Sequence, residues 1–177
     1  GEAALLWGDA RQRLPDLLGT RGLSGRCDLV LLDAFSPQRC PELWSLEFLG
    51  RLAQLLQPQG RLLSYCCAAA VRHSLRQAHL QLASIRPPAP SPGATGTPWS
   101  VGTAASPTPL TGAAPPDEGP LRPLSAMELA HLATRAAEPY RDPSGRASST
   151  AILATRREAQ AASGALSLSL IHISEPT

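Results

Sequence analysis

The chain has 177 residues, of which 17% are charged and 43% hydrophobic, and its formal net charge is +2 at pH 7. This length suits one ordinary domain with a sizeable core. The net charge is too small to identify a nucleic-acid-binding protein by itself. No apolar run reaches the roughly 18 residues of a membrane span. Every basic residue is arginine, and the chain contains neither lysine nor asparagine, which indicates a GC-rich gene.

Cysteine and histidine residues form no metal-binding or redox motif. The sequence has no Cys-x-x-Cys pair, and no histidine stands at zinc-finger spacing from Cys27, Cys40, Cys66 or Cys67. The histidines of the predicted helices lack carboxylate partners at ligand spacing, and nothing resembles a signal peptide. The sequence therefore predicts a cytoplasmic protein with reduced thiols and no metal.

The first part of the chain alternates predicted strands and helices. The apolar run AALLW (Ala3–Trp7) is a short strand candidate that ends at Gly8-Asp9, and ARQRLPDLL after it has the pattern of an amphipathic helix. The next run, CDLVLLD (Cys27–Asp33), is aliphatic between polar ends. That pattern predicts a parallel strand buried on both faces, because helices cover both sides of such sheets.

A second helix and two further strands follow. Leucines recur at helical spacing in WSLEFLGRLAQLL; Pro41 and Glu42 favour the start of this helix, and the turn at 58–60 favours its end. The remaining elements are a strand over Arg61–Cys67, a helix over Ala68–Leu80 and a strand over Gln81–Arg86. Strands that alternate with helices across short connections predict an α/β fold with a doubly wound sheet.

Ligands of doubly wound sheets bind at the carboxyl ends of the strands. Asp9, Asp33 and the pair Tyr65-Cys66 occupy that position in the predicted order of elements. They are therefore candidates for a functional site. An acid after a strand also has a purely local use, as the cap of the turn that follows.

Residues 87–123 hold most of the 18 prolines and have the composition of a loop or linker. One island, WSVGTAA (Trp99–Ala105), has strand character and is expected to form a hairpin with the strand before this region. Beyond it, Leu124–Ala137 is a predicted helix in which Ser125 and Glu128 form a capping box.

The segment LLDAFSPQRCPELWS (Leu31–Ser45) resembles the Asp-to-Trp motif of the MnmC-type tRNA methyltransferases, which include stand-alone MnmD-like proteins and the methyltransferase half of bifunctional MnmC. The resemblance continues through LAQLLQPQGRLLSYCCAAAVRHSLRQAHLQL and resumes at WSVGTAAS and LSAMELAHLATRAAEPYRDP. It implies a partial Rossmann-like fold of the class I S-adenosylmethionine-dependent methyltransferases, with the N-terminal strands missing. It also implies N-methylation of 5-aminomethyl-(2-thio)uridine at the tRNA wobble position, with S-adenosylmethionine as cofactor and tRNA as partner, in a bacterial cytoplasm.

The resemblance also implies roles for individual residues. Asp33 matches the strand-end acid that lies beside both the transferred methyl group and the acceptor amine, so it is expected to serve cofactor and catalysis. Asp9 matches the acid that contacts the adenine of the cofactor, and Phe35 and Pro37 match the turn that shapes the cofactor pocket. A fixed carboxylate beside the amine would aim the nitrogen lone pair and stabilise the positive charge that develops on it.

Tyr65, Arg72 and Arg76 are weaker candidates for contacts with the tRNA. The two arginines lie four residues apart on one predicted helix face, where they would either meet phosphate or lie in solvent.

The alternative to a place in the cofactor pocket for Phe35 is a place in the core. Neither Cys66 nor the residue after it is expected to act as a nucleophile, because methyl transfer in the resembled family is direct.

The glycine-rich loop of the family and its ribose-binding acid would lie before Gly1, so the chain is expected to lack part of the cofactor pocket and to be inactive alone. Two other functions stay open: a related Rossmann-like transferase for a small-molecule amine (an aminopropyltransferase or N-methyltransferase), and a non-catalytic tRNA-binding remnant.

Within the C-terminal extension, Thr150–Gln160 fits either a short strand or a helix end. The predicted organisation is a methyltransferase region over 1–106 with a loop insertion at 87–98, a linker over 107–123, a helical extension over 124–160 and a disordered tail over 161–177.

The C-terminal segment LSLIHISEPT (Leu168–Thr177) resembles the translation of a transposase-type sequencing adapter. A segment of that origin has no evolved packing partner. We therefore expect the deletion of Leu168–Thr177 to leave the melting temperature unchanged. Thermal unfolding of the full and shortened chains checks this; a fall of several degrees would show that the segment packs into the fold.

Overall fold

One five-stranded sheet runs through the part of the chain that the structure describes, residues 3–87, 100–110 and 119–164 of a computed structural model. Most of the predicted loop insertion, the middle of the predicted linker and the adapter-like tail lie outside the described residues. The strands stand in the order β1-β2-β4-β3-β5. They are β1 (Cys27–Leu32), β2 (Leu56–Ser64), β3 (Gln81–Ile85), β4 (Gly102–Ser106) and β5 (Leu121–Arg122).

Strand direction brings the carboxyl ends of three strands to one edge of the sheet. β1 pairs with β2 in parallel, and β4 runs antiparallel to both β2 and β3. β1, β2 and β3 therefore point the same way, with the reversed strand β4 between β2 and β3. The predicted hairpin across the proline-rich region is confirmed, since Gln81 pairs with Ser106 and Ile85 with Gly102.

Helices connect the strands and form a layer on the sheet. They are α1 (Ala10–Leu18), α2 (Leu46–Leu55), α3 (Ala69–Gln77), α4 (Ala126–Leu132) and α5 (Ser149–Ala162). A turn of 3-10 helix over Pro41–Trp44 precedes α2, and Ser45 then caps α2 by accepting a hydrogen bond from the N–H of Phe48 (3.2 Å). Within the described ranges, no helix is long and apolar enough to cross a membrane.

The core lies between this helical layer and one face of the sheet. Trp44 and Leu49 are fully buried and belong to one cluster with Leu62 of β2. On the other face of β1, the side chains of Leu29 and Leu31 are 51% and 69% exposed. The prediction that β1 is buried on both faces is therefore wrong. Both faces of this strand carry aliphatic residues, so the pattern alone does not reveal which face a helix covers.

The predicted strand over Ala3–Trp7 is also wrong. The structure assigns this segment no strand, and the side chains of Leu5 and Trp7 are exposed. A short apolar run becomes a strand only where another strand lies beside it and supplies its backbone hydrogen bonds. The strand propensity of its residues does not predict whether such a neighbouring strand exists.

The sequence predicts that the turn at residues 58–60 ends the second helix, and this prediction is wrong. α2 stops at Leu55, and the Pro-Gln-Gly turn lies inside β2, where the pairing with β1 is irregular. At Gly60 the backbone comes so close to the carbonyl of Cys27 that a Cβ atom would clash with it. The glycine thus permits a close approach within the sheet.

The chain beyond residue 119 packs onto the sheet, and β5 extends it by pairing with β3. The predicted capping box is confirmed: Ser125 Oγ accepts a hydrogen bond from the N–H of Glu128 (3.2 Å), and the carboxylate of Glu128 accepts one from the N–H of Ser125 (2.7 Å). The helix ends at Leu132, before the predicted Ala137. Thr150–Gln160, for which the sequence leaves strand and helix open, lies within α5.

A buried ion pair fastens α4 to α3. The side chains of Arg72 and Glu128 are 3% and 6% exposed and meet at 2.9 Å. Arg72 also donates to Thr103 Oγ1 of β4 (2.9 Å), and Glu128 accepts hydrogen bonds from Ser84 Oγ of β3 (2.7 Å) and from Arg122 of β5 (2.8 Å). Because both charges are paired and hydrogen-bonded, the cost of removing them from water is offset.

The network also determines when Glu128 is charged. Burial favours a higher pKa, but hydrogen bonds from the N–H of Ser125, from Ser84 and from Arg122 hold the pKa of Glu128 well below its usual range. A carboxyl with a depressed folded pKa stabilises the fold above its unfolded pKa, about 4.3. This contribution is lost as the pH falls from there toward the folded pKa.

Glu128→Gln is expected to lower the free energy of unfolding by about 3 kcal/mol at neutral pH, because it leaves the buried guanidinium of Arg72 without its counter-charge. Urea unfolding measures the difference from the parent, which should shrink at about pH 3, where the parent has lost part of the same contribution. The control Glu158→Gln removes an exposed acid of α5 and should change the free energy by less than about 0.5 kcal/mol. Equal effects of the two substitutions would contradict the assignment.

Candidate functional site

Asp33 and Tyr65 leave the sheet side by side, at the carboxyl ends of β1 and β2. The register pairs Leu32 with Ser64, the last residues of the two strands. The prediction that these two strand ends lie together is therefore confirmed. An open cleft of about 310 Å³ lies at this edge, and Asp33 and Tyr65 line it together with Leu31, Leu63, Ile85 and Val101. The result is a largely aliphatic cleft that carries one carboxylate.

The carboxylate of Asp33 is exposed and accepts no hydrogen bond from any described residue. The turn that follows is closed by the backbone instead: the N–H groups of Arg39 and Cys40 donate to the carbonyl of Ser36 at 2.8 and 3.0 Å. Asp33 is thus not the cap of this turn, and that alternative from the sequence does not hold. Its negative charge is free to meet a ligand in the cleft.

Two aromatic side chains hold the backbone just after Asp33. Tyr65 Oη donates to the carbonyl of Ala34 at 2.8 Å, and Trp44 Nε1 donates to the carbonyl of Phe35 at 2.7 Å. The rings of Trp44 and Tyr65 meet edge to face, with centroids 6.0 Å apart and planes at 86°. Sequence reasoning misses this pair of hydrogen bonds, because the donors come from different elements. The only signal is the presence of two aromatic residues in a chain with 4% aromatic content.

The turn presents Phe35 to solvent. Its side chain is 73% exposed, so the alternative that places Phe35 in the core is wrong. The guanidinium carbon of Arg39 lies 5.5 Å from the centroid of the Phe35 ring, within the range of a cation–π contact. Pro37, in the same turn, is half-buried. Phe35, Pro37 and Arg39 thus belong to the turn that directly follows Asp33.

Tyr65 is a hydrogen-bond donor at neutral pH. Partial burial raises the pKa of its phenol above the ordinary value, and the neighbouring Cys66 and Asp33 shift it in the same direction. An aromatic hydroxyl with a raised pKa keeps its proton at neutral pH. The phenol therefore keeps the proton that it donates to the carbonyl of Ala34.

Asp9 has a different setting. It caps α1, and its carboxylate accepts hydrogen bonds from the backbone N–H of Arg11 (2.9 Å) and from the Arg11 guanidinium, the shortest at 2.7 Å. The side-chain hydrogen bond from Arg11 lowers the pKa of Asp9. Arg11 also pairs with the buried carboxylate of Asp142 at 2.7 Å. Since no strand precedes it and it does not line the cleft, Asp9 does not share the strand-end position predicted for it.

Arg72 and Arg76 do not share an exposed face of α3. Arg76 is exposed, whereas Arg72 is buried in its ion pair with Glu128. The expectation that both arginines are presented to phosphate or solvent is therefore wrong for Arg72. Its neighbours on α4 and β4 supply the burial, and spacing along α3 alone does not reveal them.

Two thiols follow Tyr65 in the chain, and only that of Cys66 is buried. Cys66 is buried, and burial raises the pKa of its thiol above the ordinary value. Cys67 Sγ lies 3.3 Å from both the carbonyl and the hydroxyl oxygen of Ser100. A buried, protonated thiol is a poor nucleophile. For Cys66 this agrees with the expectation that it takes no covalent part in catalysis.

An α/β sheet with a free acid at a strand end, beside an aliphatic cleft, is a setting for a nucleotide-like ligand. A family model described as S-adenosyl-L-methionine-dependent methyltransferase matches residues 2–90. The chain belongs to this family, and S-adenosyl-L-methionine is the family's cofactor. This confirms the predicted Rossmann-like methyltransferase fold class and the predicted cofactor.

Several relatives carry a more specific name. The tRNA 5-methylaminomethyl-2-thiouridine biosynthesis bifunctional protein MnmC of Chromohalobacter salexigens is 36% identical over 74 residues, 42% of this chain and 10% of that protein. MnmC of Ralstonia nicotianae is 37% identical over 78 residues, 44% of this chain and 11% of that protein. The crystal structure of MnmC2 from Aquifex aeolicus superposes with a TM-score of 0.65 at 28% identity, covering 85% of this chain and 42% of that one. The chain thus spans about a tenth of the length of these curated relatives.

Asp9→Ala is expected to lower the free energy of unfolding by about 1 kcal/mol, because α1 loses its N-cap. Asp9→Asn should cost less, since the amide oxygen still accepts the capping hydrogen bond. Urea unfolding of both variants provides the measurement. A fully stable Asp9→Ala protein with weakened binding of S-adenosylmethionine would instead support the predicted contact between Asp9 and adenine.

Proposed function

We propose that the chain is part of a tRNA-modifying enzyme that methylates the amine of 5-aminomethyl-(2-thio)uridine at the wobble position. The observation that carries the proposal is the free carboxylate of Asp33 in the aliphatic cleft at the strand ends. The names of the MnmC relatives, which refer to the biosynthesis of 5-methylaminomethyl-2-thiouridine in tRNA, support this substrate. The proposed macromolecular partner is therefore tRNA.

The chemistry of the cleft suits S-adenosylmethionine. Leu31, Leu63 and Ile85 supply apolar surface, which favours burial of the uncharged parts of the cofactor. Asp33 supplies a negative charge that complements the positive sulfonium. Phe35 and Pro37 are proposed to border the same ligand from the adjoining turn. The bound cofactor would supply an electrophilic methyl group, whose carbon–sulfur bond breaks as the new carbon–nitrogen bond forms, with a neutral thioether as the leaving group.

The acceptor imposes the second requirement. A primary amine of this type has a pKa near that of lysine, about 10.4, so it arrives at the site mostly as the ammonium ion. Attack on the methyl group requires the neutral amine and leaves a positive charge on its nitrogen. The protein must therefore tolerate deprotonation of the amine before transfer and stabilise the charge that develops during transfer.

Asp33 meets this requirement through its position and its lack of other partners. Its carboxylate would accept a hydrogen bond from an N–H of the amine, aim the lone pair and stabilise the developing charge. The side chain of Asp33 is exposed, so water is the proposed acceptor of the proton that the ammonium loses. A carboxylate also stabilises the unreactive ammonium, so the rate should rise with pH as the amine becomes neutral.

Asp33→Asn is expected to lower kcat for methyl transfer by about a hundredfold, because the amide keeps the shape of the side chain but lacks its charge. Affinity for tRNA should change little, since phosphate contacts dominate it. The measurement is single-turnover methylation, at saturating S-adenosylmethionine, of tRNA that carries 5-aminomethyluridine, with the complete product of the gene. Nucleoside mass spectrometry identifies the product.

The matched control is Asp28→Asn, which changes an exposed acid at the opposite end of β1 and should leave kcat unchanged. An Asp33→Asn protein that turns over at the parent rate would remove Asp33 from the mechanism. Methylation of putrescine in preference to the tRNA amine would contradict the proposed substrate. Retention of tRNA without methyl transfer by the parent would contradict the enzymatic function itself.

A further inference from the structure

We propose that Trp44 and Tyr65 are positioning residues for the methyl transfer: together they tether the backbone of Ala34 and Phe35 and thereby aim the carboxylate of Asp33. This inference rests on the proposed function and adds two residues to it. Tyr65 is then part of the support of the site, in place of the weak tRNA contact that the sequence predicts for it.

Asp33 needs such support because nothing else in the described structure holds its side chain. Its carboxylate is exposed and accepts no hydrogen bond from a described residue, so its direction depends on the backbone that carries it. An exposed loop residue without tertiary contacts samples many conformations, and ordering it at the moment of reaction costs entropy. Fixing the peptide groups that carry the carbonyls of Ala34 and Phe35, one residue beyond Asp33, removes part of the backbone share of this freedom in advance.

The tether is built on rigid parts of the fold. Trp44 is fully buried in the hydrophobic core, at the end of the 3-10 helix that leads into α2. Tyr65 directly follows the last residue of β2. The edge-to-face contact of their rings, with centroids 6.0 Å apart, joins the two donors into one unit. Their hydrogen bonds of 2.7 and 2.8 Å end on consecutive carbonyls, so the turn is held from two directions.

The first arm of the test measures the tether without reference to catalysis. Tyr65→Phe keeps the ring and its contact with Trp44 but removes one hydrogen bond. Hydrogen–deuterium exchange of peptides that cover residues 32–40 should become about fivefold faster, the effect of losing roughly one hydrogen bond from a local opening equilibrium. Unchanged exchange in these peptides would overturn the proposal.

The control is Tyr140→Phe, which removes the hydroxyl of the other tyrosine. Tyr140 is buried, and its hydroxyl oxygen receives only a long contact of 3.4 Å from Gln38. Exchange over residues 32–40 should stay at the parent rate in this variant. Equal acceleration by both substitutions would mean that the turn responds to any change nearby, and would overturn the specific role of Tyr65.

The second arm measures the consequence for the reaction. Tyr65→Phe should lower kcat by about tenfold, since small displacements of a catalytic group are costly. KM for S-adenosylmethionine and for tRNA should stay within about twofold, and the pH profile of kcat should keep its shape. Parent-like kcat would overturn the proposal, as would a pH profile that loses one limb, because Tyr65 would then exchange a proton in the reaction itself.

Trp44→Phe provides a second, independent variant. It removes the indole N–H and should lower kcat in the same direction, and the double variant should lose less than the product of the two single losses, because the donors act on one turn. Fully multiplicative losses would overturn their action as a unit. If the parent transfers no methyl group while Tyr65→Phe still frees the turn, the proposed function fails and the tether stands.

Discussion

The parallel register between β1 and β2 determines where the candidate site of this protein lies. Leu32 stands opposite Ser64, so Asp33 and Tyr65 leave the sheet together. The register depends on an irregularity at the start of the pairing, where Gly60 lies too close to a neighbouring carbonyl for any side chain to fit. A shift of one residue would turn every side chain of the shifted strand to the other face of the sheet and separate the tyrosine hydroxyl from the turn that it holds.

The opposite wall of the cleft depends on a second constraint, the buried pair of Arg72 and Glu128. Residues of α3, α4, β3 and β4 donate or accept within this network, so the β3–β4 hairpin is held against the helices that carry the pair. Ile85 and Val101, at the end of that hairpin where the connection between its two strands begins and ends, line the cleft. The region beyond residue 119 therefore supports the hairpin that carries these two residues, although it contributes no side chain to the lining.

Charged residues in the described part of this protein divide into those that have a partner within the fold and those that have none. Asp9, Arg72 and Glu128 are occupied by ion pairs and capping hydrogen bonds, and their charges are compensated within the fold. Asp33 has no such partner among the described residues and lies on an aliphatic surface. An uncompensated negative charge beside apolar walls attracts a cationic ligand. Sulfonium and ammonium groups are both cations of this kind.

Sequence pattern by itself determined the local features: the amphipathic helices, the capping box of Glu128, the hairpin across the proline-rich region and the pairing of two strand ends at Asp33. Each depends on residues near one another in the chain or on the direction of successive strands. Tertiary structure alone decided that Ala3–Trp7 is not a strand, that one face of β1 is open and that Arg72 is buried. These outcomes depend on which distant segment supplies hydrogen bonds, apolar cover or a counter-charge, and neither propensity nor spacing along the chain contains that information.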